Sequence, residues 1–428
     1  MSTSENFLVQ VETYQLTQLV YLNNFCPIIN RGNKKFSQFN QLKAQLGSSV
    51  NLELPPRMTF GNSLTTPMLQ TAQRYIPLTI NQQFSSPFAF TEQEMILNIN
   101  PNDYMARFGK NAMQVLGTQV EQYLAKDFIK YPYRFFGNGV QSLNSFGLLM
   151  EAEAYFKEYG TTQGEVNAFL PNMSIPQIIN SGWSQFTPER NNETAMSWDL
   201  GGIKGSNVRW YRSNLLAKHF AGTEGNEGST LTVVSVVQDS LGNITQITFS
   251  GTNSASDVNS IKAYDRFQFL DNVGSYPNLR FLNFTGDHVS DCYVQFQSAS
   301  NASSTSGSQV TVTLVTPLYV GVSQTNNPGI NASIVPGMQC KVLPSHQVGC
   351  MYADNAHYVS VPQLPNYIPY PTANKVDPKT GLTMQTYWGS VFNGNQQGMV
   401  NNLIMGSCLP PEYSMALIEP LNSNTNLF

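Results

Sequence analysis

Charge is what this chain has least of. Lys and Arg number 23 and Asp and Glu 27 in 428 residues, which is 12% of the whole, whereas a soluble domain carries about 25%. A net charge of −4 leaves no basic face to hold nucleic acid through its phosphates. Long apolar runs are missing too. The stretch Leu231 to Val237 falls far short of the ~20 residues that a membrane span needs. The opening residues, Met1-Ser-Thr-Ser-Glu-Asn-Phe, offer neither a basic nor an apolar signal region, so a soluble protein made in a cytosol is expected. Five cysteines (Cys26, Cys292, Cys340, Cys350, Cys408) are odd in number and scattered, which argues against a disulfide framework. Asn-x-Ser/Thr triplets, for example at Asn192, Asn243, Asn283 and Asn301, are what chance gives in such a composition. In place of charge the chain has Asn, Gln, Ser and Thr throughout. Hydrophobic residues reach 41% and aromatics 11%, enough to bury a core. Solubility from neutral hydrogen-bonding groups suits a protein surrounded by contacts, or displayed on a durable particle.

The length allows two or three folding units. Residues 6–25 place Phe7, Val11, Leu19 and Leu22 at helical steps, closed by Pro27. Residues 49–97 change character. Val50, Leu52, Leu54, Met58 and Phe60 alternate, and Tyr75–Ile80 with Phe84–Phe90 make the returning pieces of a long two-stranded arm. At roughly 3.3 Å per residue a dozen residues give an arm of ~40 Å. Such a hairpin is marginal alone, so it is expected to lie on a neighbouring copy. A strong helix is predicted over 103–131, with Asp103 as cap, an apolar stripe through Met105, Phe108, Ala112, Val115, Leu116, Val120, Tyr123, Leu124 and Phe128, and Pro132 as its end. A second runs from Ser145 to Tyr159 and stops at Gly160; a short one spans Ile175 to Ser181. From Gly228 to Leu318 the period drops to two, in LTVVSVV, ITQITFSG, DRFQFL, CYVQFQSA and QVTVTLVTPLYV, the pattern of a small antiparallel barrel or sandwich. A strand is predicted at Tyr358–Val361, and TYWGSVFNGN, GMVNNLIMGSC and YSMALIEPL read as strands joining a sheet.

The chemistry-bearing residues form no frame that points to catalysis. Gly201-Gly202-Ile203-Lys204-Gly205 lacks the phosphate-loop spacing and reads as a turn. Cys340, His346, Cys350 and His357 lie close enough to suggest zinc, but without a CxxC they read better as a buried thiol pair and surface histidines. His219 and His288 are read as ordinary surface or loop residues. Glu92 with Glu94 and Glu151 with Glu153 are read as solvated or interface charges. Met405 and Met415 are read as core. Neither an enzymatic activity nor a cofactor or metal is expected.

The order of elements carries a resemblance. The polar Asp/Asn segment before YMARFGKNAMQVLGTQVEQYLAKDFIKY, the segment 175–220 with its short helix and polar loop, and DRFQFLDNV at 265–273 resemble a tailed-bacteriophage major capsid (coat) protein of the Hong Kong 97 type fold. The chain is most similar to the short-tailed Salmonella phage coat group, which carries an extra β-domain. The resemblance implies an α+β fold built of an N-terminal arm (1–48), an extended hairpin loop (49–97) and a peripheral domain with the spine helix (98–160). An axial domain in two parts (161–227 and 321–408), an inserted small antiparallel β-barrel (228–320) and C-terminal strands of the peripheral domain (409–428) complete it, around a mixed sheet.

It implies self-assembly into pentamers and hexamers of an icosahedral shell, in the virion, after assembly in a host cytoplasm. Scaffolding, portal and decoration proteins are the implied partners, with DNA enclosed but not read and no membrane bound. Glu53, Arg57 and Arg74 on the hairpin, and Arg107 and Lys110 near the start of the spine, are the candidate inter-subunit contacts; the plainer reading is solvated charge. A β-rich tail protein or adhesin that binds carbohydrate is the alternative, supported by the Asn, Gln, Tyr and Trp content and opposed by the long helix.

Overall fold

A computed structural model describes residues 27–34, 47–54, 74–91, 101–161, 164–172, 174, 178, 208–252, 257–271, 277–285, 288–304, 308–321, 327–364, 372–376, 382–391 and 396–421. The fold is α+β. The chain divides into two compact units, the first taking 1–52, 77–127 and 355–408, the second 53–76, 128–354 and 409–428. The helix predicted over 6–25 lies outside the described residues, and of Ile175 to Ser181 only Ile178 lies inside.

The long helix spans Pro101–Lys130. A proline suits a first helical turn, where its missing N–H costs nothing, so Asp103 falls within that turn and is not the cap. The buried stripe runs through Met113, Leu116, Val120 and Leu124, each at most 1% exposed. Val115 departs from the predicted stripe and is 54% exposed. One helical step from Leu116 turns it about 100° away from that line.

In the first unit, Gln396–Cys408 is the axis of a five-stranded sheet. One edge pairs with Thr383–Val391, which pairs in turn with Thr372–Val376. The other edge pairs first with Gln82–Thr91 and then with Tyr358–Ser360. Gln82–Thr91, expected to return along the arm, thus belongs to this sheet. Ser86 Oγ donates to the helical carbonyl of Ala112 at 2.9 Å, and Phe84 meets Tyr123 edge to face at 5.8 Å. Even inside the sheet the polar composition persists: the buried Thr386 hydroxyl donates to the buried Asn401 amide oxygen across two strands.

Ser49–Glu53 and Tyr75–Thr79 form the two-stranded ribbon. Its alternate residues Leu52, Leu54, Ile76 and Leu78, followed by Ile80, are between 0 and 8% exposed in the single chain. The expectation that this stripe waits for a neighbouring copy is therefore corrected for the described part. At about 25 cal/mol per Å2 of apolar surface, such side chains are worth roughly 1.5–3 kcal/mol each where they now sit. The tip, 55–73, is outside the described residues.

The second unit holds two sheets. A mixed six-stranded one is ordered Phe135–Phe136, Ser414–Pro420, His346–Ala353, Val166–Pro171, Val208–Ser213, with Lys218–His219 beside His346–Ala353. The helix Phe146–Glu158 covers it, packing Leu149, Ala152 and Phe156 against Val166, Trp210, Met351 and Leu417. Ser145 caps that helix by accepting from the Leu148 N–H at 3.3 Å, and Gly160 follows it at φ +83°, a turn of the backbone that a side chain would resist.

The other sheet has nine strands, and six of them form a ring: Gln309–Val320, Asn243–Ser250, Thr230–Gln238, Gln339–Val342, Arg266–Phe269 and Gln295–Gln297. The Ser298–Leu314 bridge and the bond from Ala299 N to Thr313 O close it. Closure leaves no open edge. Phe249, Phe267 and Phe296 stack within, their planes 3–7° apart and centroids 4.8–6.2 Å apart. The ring needs Gln339–Val342, beyond residue 320 where the sequence places the end of the β-domain, because that strand lies between Thr230–Gln238 and Arg266–Phe269.

Candidate functional site

For a chain read as a shell protein, candidate sites are surfaces, and the five candidate contacts can be placed one by one. Glu53 ends its ribbon strand exposed. Arg57 lies outside the described residues, as does the side chain of Arg107 on the long helix. Lys110 is exposed on that helix. Arg74 is committed within the chain, its Nη1 2.8 Å from Oε1 of Glu412. Glu412 is 2% exposed and burial raises its carboxyl, against which the Arg74 charge pulls it down.

The exposed apolar side chains among the described residues are also separate in the sequence: Val115 and Val376 in the first unit, and Val140, Phe220, Leu241, Val258 and Val289 in the second, each more than half exposed. Leu241 sits at the turn joining Thr230–Gln238 to Asn243–Ser250. Asp239 organises that turn by accepting from the Asn243 side-chain amide at 2.8 Å and from the Asn243 and Leu241 N–H groups at 2.8 and 2.9 Å, and these bonds, the Asn243 side chain first, lower its carboxyl.

The second unit has a cleft of about 740 Å3 between the helix Phe146–Glu158 and the strands around Asp291 and Gln295. Phe136, Leu148 and Tyr155 give it an apolar floor, with Glu151, Glu158 and Asp291 also lining it. Glu151 and Glu153 take different roles because two helical steps turn them about 200° apart. Glu151 is exposed, whereas Glu153 is buried and holds Lys157 at 2.5 Å, which corrects its reading as a solvated charge.

A cluster of ionisable groups stands where the nine-stranded sheet joins the rest of the second unit. Arg266 is fully buried, and among the described residues no carboxylate pairs with its guanidinium. Its Nη2 donates to the carbonyls of Phe128 and Ile129 at 3.1 and 3.3 Å, at the C-terminus of the long helix, where a cation is favoured by the helix dipole. Its Nη1 lies 3.0 Å from Nε2 of His346. Arginine only donates, so this imidazole nitrogen accepts and Nδ1 carries the proton, donating to Pro344 O at 2.6 Å. Burial pushes Arg266 down to about 9, and burial followed by the Arg266 charge holds His346 well below the usual imidazole range. Beside them His219 Nε2 lies 2.7 Å from Asp265, whose carboxylate also accepts from the Gly222 and Lys262 N–H groups. Arg134, also fully buried, donates to Glu412 O at 3.0 Å and stacks over Tyr159 at 4.0 Å.

Three histidines read as surface residues are therefore interior ones: His219, His346 and, in the first unit, His357, whose Nε2 is 3.1 Å from Asp127. His288 is exposed. Cys340 and Cys350 are buried on different sheets, and among the described residues no three metal-ligating side chains converge. No described helix is long and apolar enough to cross a membrane. Glu92, Glu94 and the turn at 201–205 lie outside the described residues. Buried Arg134 and Arg266 were missed because arginine in a sequence signals surface; only their immediate neighbours, Tyr133-Arg134-Phe135 and Arg266-Phe267, hint at an apolar setting.

No family model matches this chain, and no curated protein does. Among solved structures it is similar to a chain from Mycobacterium phage Che8, at 8% identity over 91% of this chain and 89% of that one, with a TM-score of 0.44. The capsid of Ralstonia phage GP4 gives 7% identity over 92% and 93%, with a TM-score of 0.42. The virus-like particle from Pyrococcus furiosus gives 8% over 95% and 98%, with a TM-score of 0.39.

Proposed function

We propose that this chain is a structural shell protein that assembles with its own copies into the pentamers and hexamers of an icosahedral phage capsid. The observation that carries the reading is the way the chain is threaded. It builds one sheet from five distant stretches, leaves that sheet after His219, makes a closed β-ring, and resumes at His346 in the position paired with His219. That is the layout of a host domain with an inserted β-domain, which the resemblance to the short-tailed phage coat group implies. The 30-residue helix after the ribbon has its place in the same layout.

Assembly of this kind needs heterologous contacts that close into rings. Obligate contacts bury more than ~2,000 Å2, and at ~25 cal/mol per Å2 of apolar area many modest contacts add to a durable particle. A chain with 12% charged residues sets little repulsion between crowded copies. Glu53, Arg57, Arg107 and Lys110 remain the proposed contacts with neighbours. Scaffolding, portal and decoration proteins are the proposed partners, the virion the proposed location after assembly in a host cytoplasm, and DNA the enclosed but unread content. Expression of the full chain followed by cryo-microscopy tests the reading. Closed shells, or five- and six-membered rings, are expected; a chain that stays monomeric at high concentration, with and without the neighbouring phage proteins, overturns it.

A further inference from the structure

A short strap, residues 27–34, is held against the first unit by unusual means. Ile28 and Ile29 are fully buried in it. Its backbone is bonded to the 355–360 segment through Asn33 N to His357 O at 2.6 Å and Val359 N to Asn33 O at 2.9 Å, and the Asn33 side chain donates to Asn355 O at 2.9 Å. At Gly32 a Cβ would come within 2.7 Å of Val359 Cγ2, so the fit there is close. The remaining tie is an acid. Glu121, on the long helix and 0% exposed, accepts from the Ile28 N–H at 3.1 Å through Oε1. Its Oε2 is equally buried and has no hydrogen-bond partner among the described residues. Ionised, this carboxylate would hold a charge on an oxygen cut off from water; neutral, it avoids that cost.

The titratable and charged groups here are Arg31 and Lys34 on the strap, Tyr123, Lys126 and Asp127 within two turns of Glu121 on the helix, and His357 and Tyr358 on the segment 355–360. Asp127 is engaged with His357. Burial, opposed by the Ile28 and Ile29 N–H groups, sets the acid of Glu121 and pushes it up to about 8.

We propose that the strap is a proton-gated clasp, fastened while Glu121 is neutral and loosened when Glu121 ionises, so that Ile28 and Ile29 are released to water as the pH rises. The sign follows from linkage. A carboxyl whose value is raised in the docked state favours docking fully below its free value of 4.5, and progressively less up to about 8. The docking constant should fall about tenfold per pH unit across that window and level off above it.

The test is hydrogen exchange of the Ile28, Ile29 and Asn33 amides in the full chain from pH 5 to pH 9, each rate divided by the intrinsic chemical rate. Wild type should show an opening constant that climbs about tenfold per unit to a plateau, and Glu121→Gln should show one that does not change with pH. Glu121→Met, which also carries no proton, serves in its place should the glutamine variant not fold. A flat wild-type profile, or a variant with the wild-type slope, overturns the proposal.

Discussion

Phe296 is the side chain on which the closed β-ring can be tested most sharply. It is 1% exposed, and its ring faces Phe267 at 4.8 Å, Phe269 at 5.8 Å and Phe249 at 6.2 Å. Truncation to alanine removes the ring from the centre of that group and leaves a cavity whose walls belong to three strands locked in register. Such walls collapse poorly, so the cost should sit in the range of about 3–5 kcal/mol for buried aromatic-to-alanine changes, with three aromatic pairs of about 0.5–1.5 kcal/mol each forming part of it. Phe296→Leu keeps most of the volume and should lose less than half as much. Phe220→Ala, at a position 61% exposed, is the control and should stay within about 0.5 kcal/mol of wild type. Urea unfolding followed by near-ultraviolet circular dichroism, with exchange of the 295–297 amides to assign the transition, reads all three. If Phe296→Ala lost no more than Phe220→Ala, the stack would not be a packed interior, and the ring geometry argued from it would be wrong.

Other expectations are smaller in scope. Arg266→Met removes the bond to the Phe128 carbonyl and orphans His346 Nε2, while Ile129 O keeps its bond from Gln297. At about 1–3 kcal/mol for the orphaned nitrogen, the net loss should be about 1–3 kcal/mol by urea unfolding. His346 is a base depressed in the folded chain, so its contribution is whole above its free value of 6.5 and is lost as the pH falls below that. Stability measured at pH 5 and pH 7 should therefore differ between wild type and His346→Gln, with the wild type losing up to about 1.4 kcal/mol per unit more on acidification. Ser145→Ala removes the cap of the helix Phe146–Glu158 and should cost about 1 kcal/mol, visible as faster exchange of the Leu148 amide.

Much of this architecture can be read from residue order. The long helix and the helix ending at Gly160 are marked by three- and four-residue spacing between Pro, Ser and Gly punctuation, and both lie within a few residues of where that spacing puts them. Strands of the ring announce themselves through period two, as in QVTVTLVTPLYV. Arg280–Leu282, Gly329–Ile330 and Gln339–Val342 do not, since two to four residues cannot establish a period, yet the last of them completes the ring. Burial of the ribbon was misjudged for another reason. Alternation reports that one face is apolar and says nothing about which surface covers it. Interior histidines and arginines escape for a related cause: their partners, such as Asp265 for His219 and the helix-end carbonyls for Arg266, come from far along the chain or from backbone that carries no side-chain signature.

The pairing of His219 with His346 has a practical consequence. Directly opposed residues of an antiparallel pair stand only about 4.5–5.5 Å apart at Cα, a gap that a two-residue turn spans. The excursion is thus plugged into its host as a cartridge into a socket. Cartridges of other sizes, with their own two ends equally close, should fit the same socket without stretching the strands on either side.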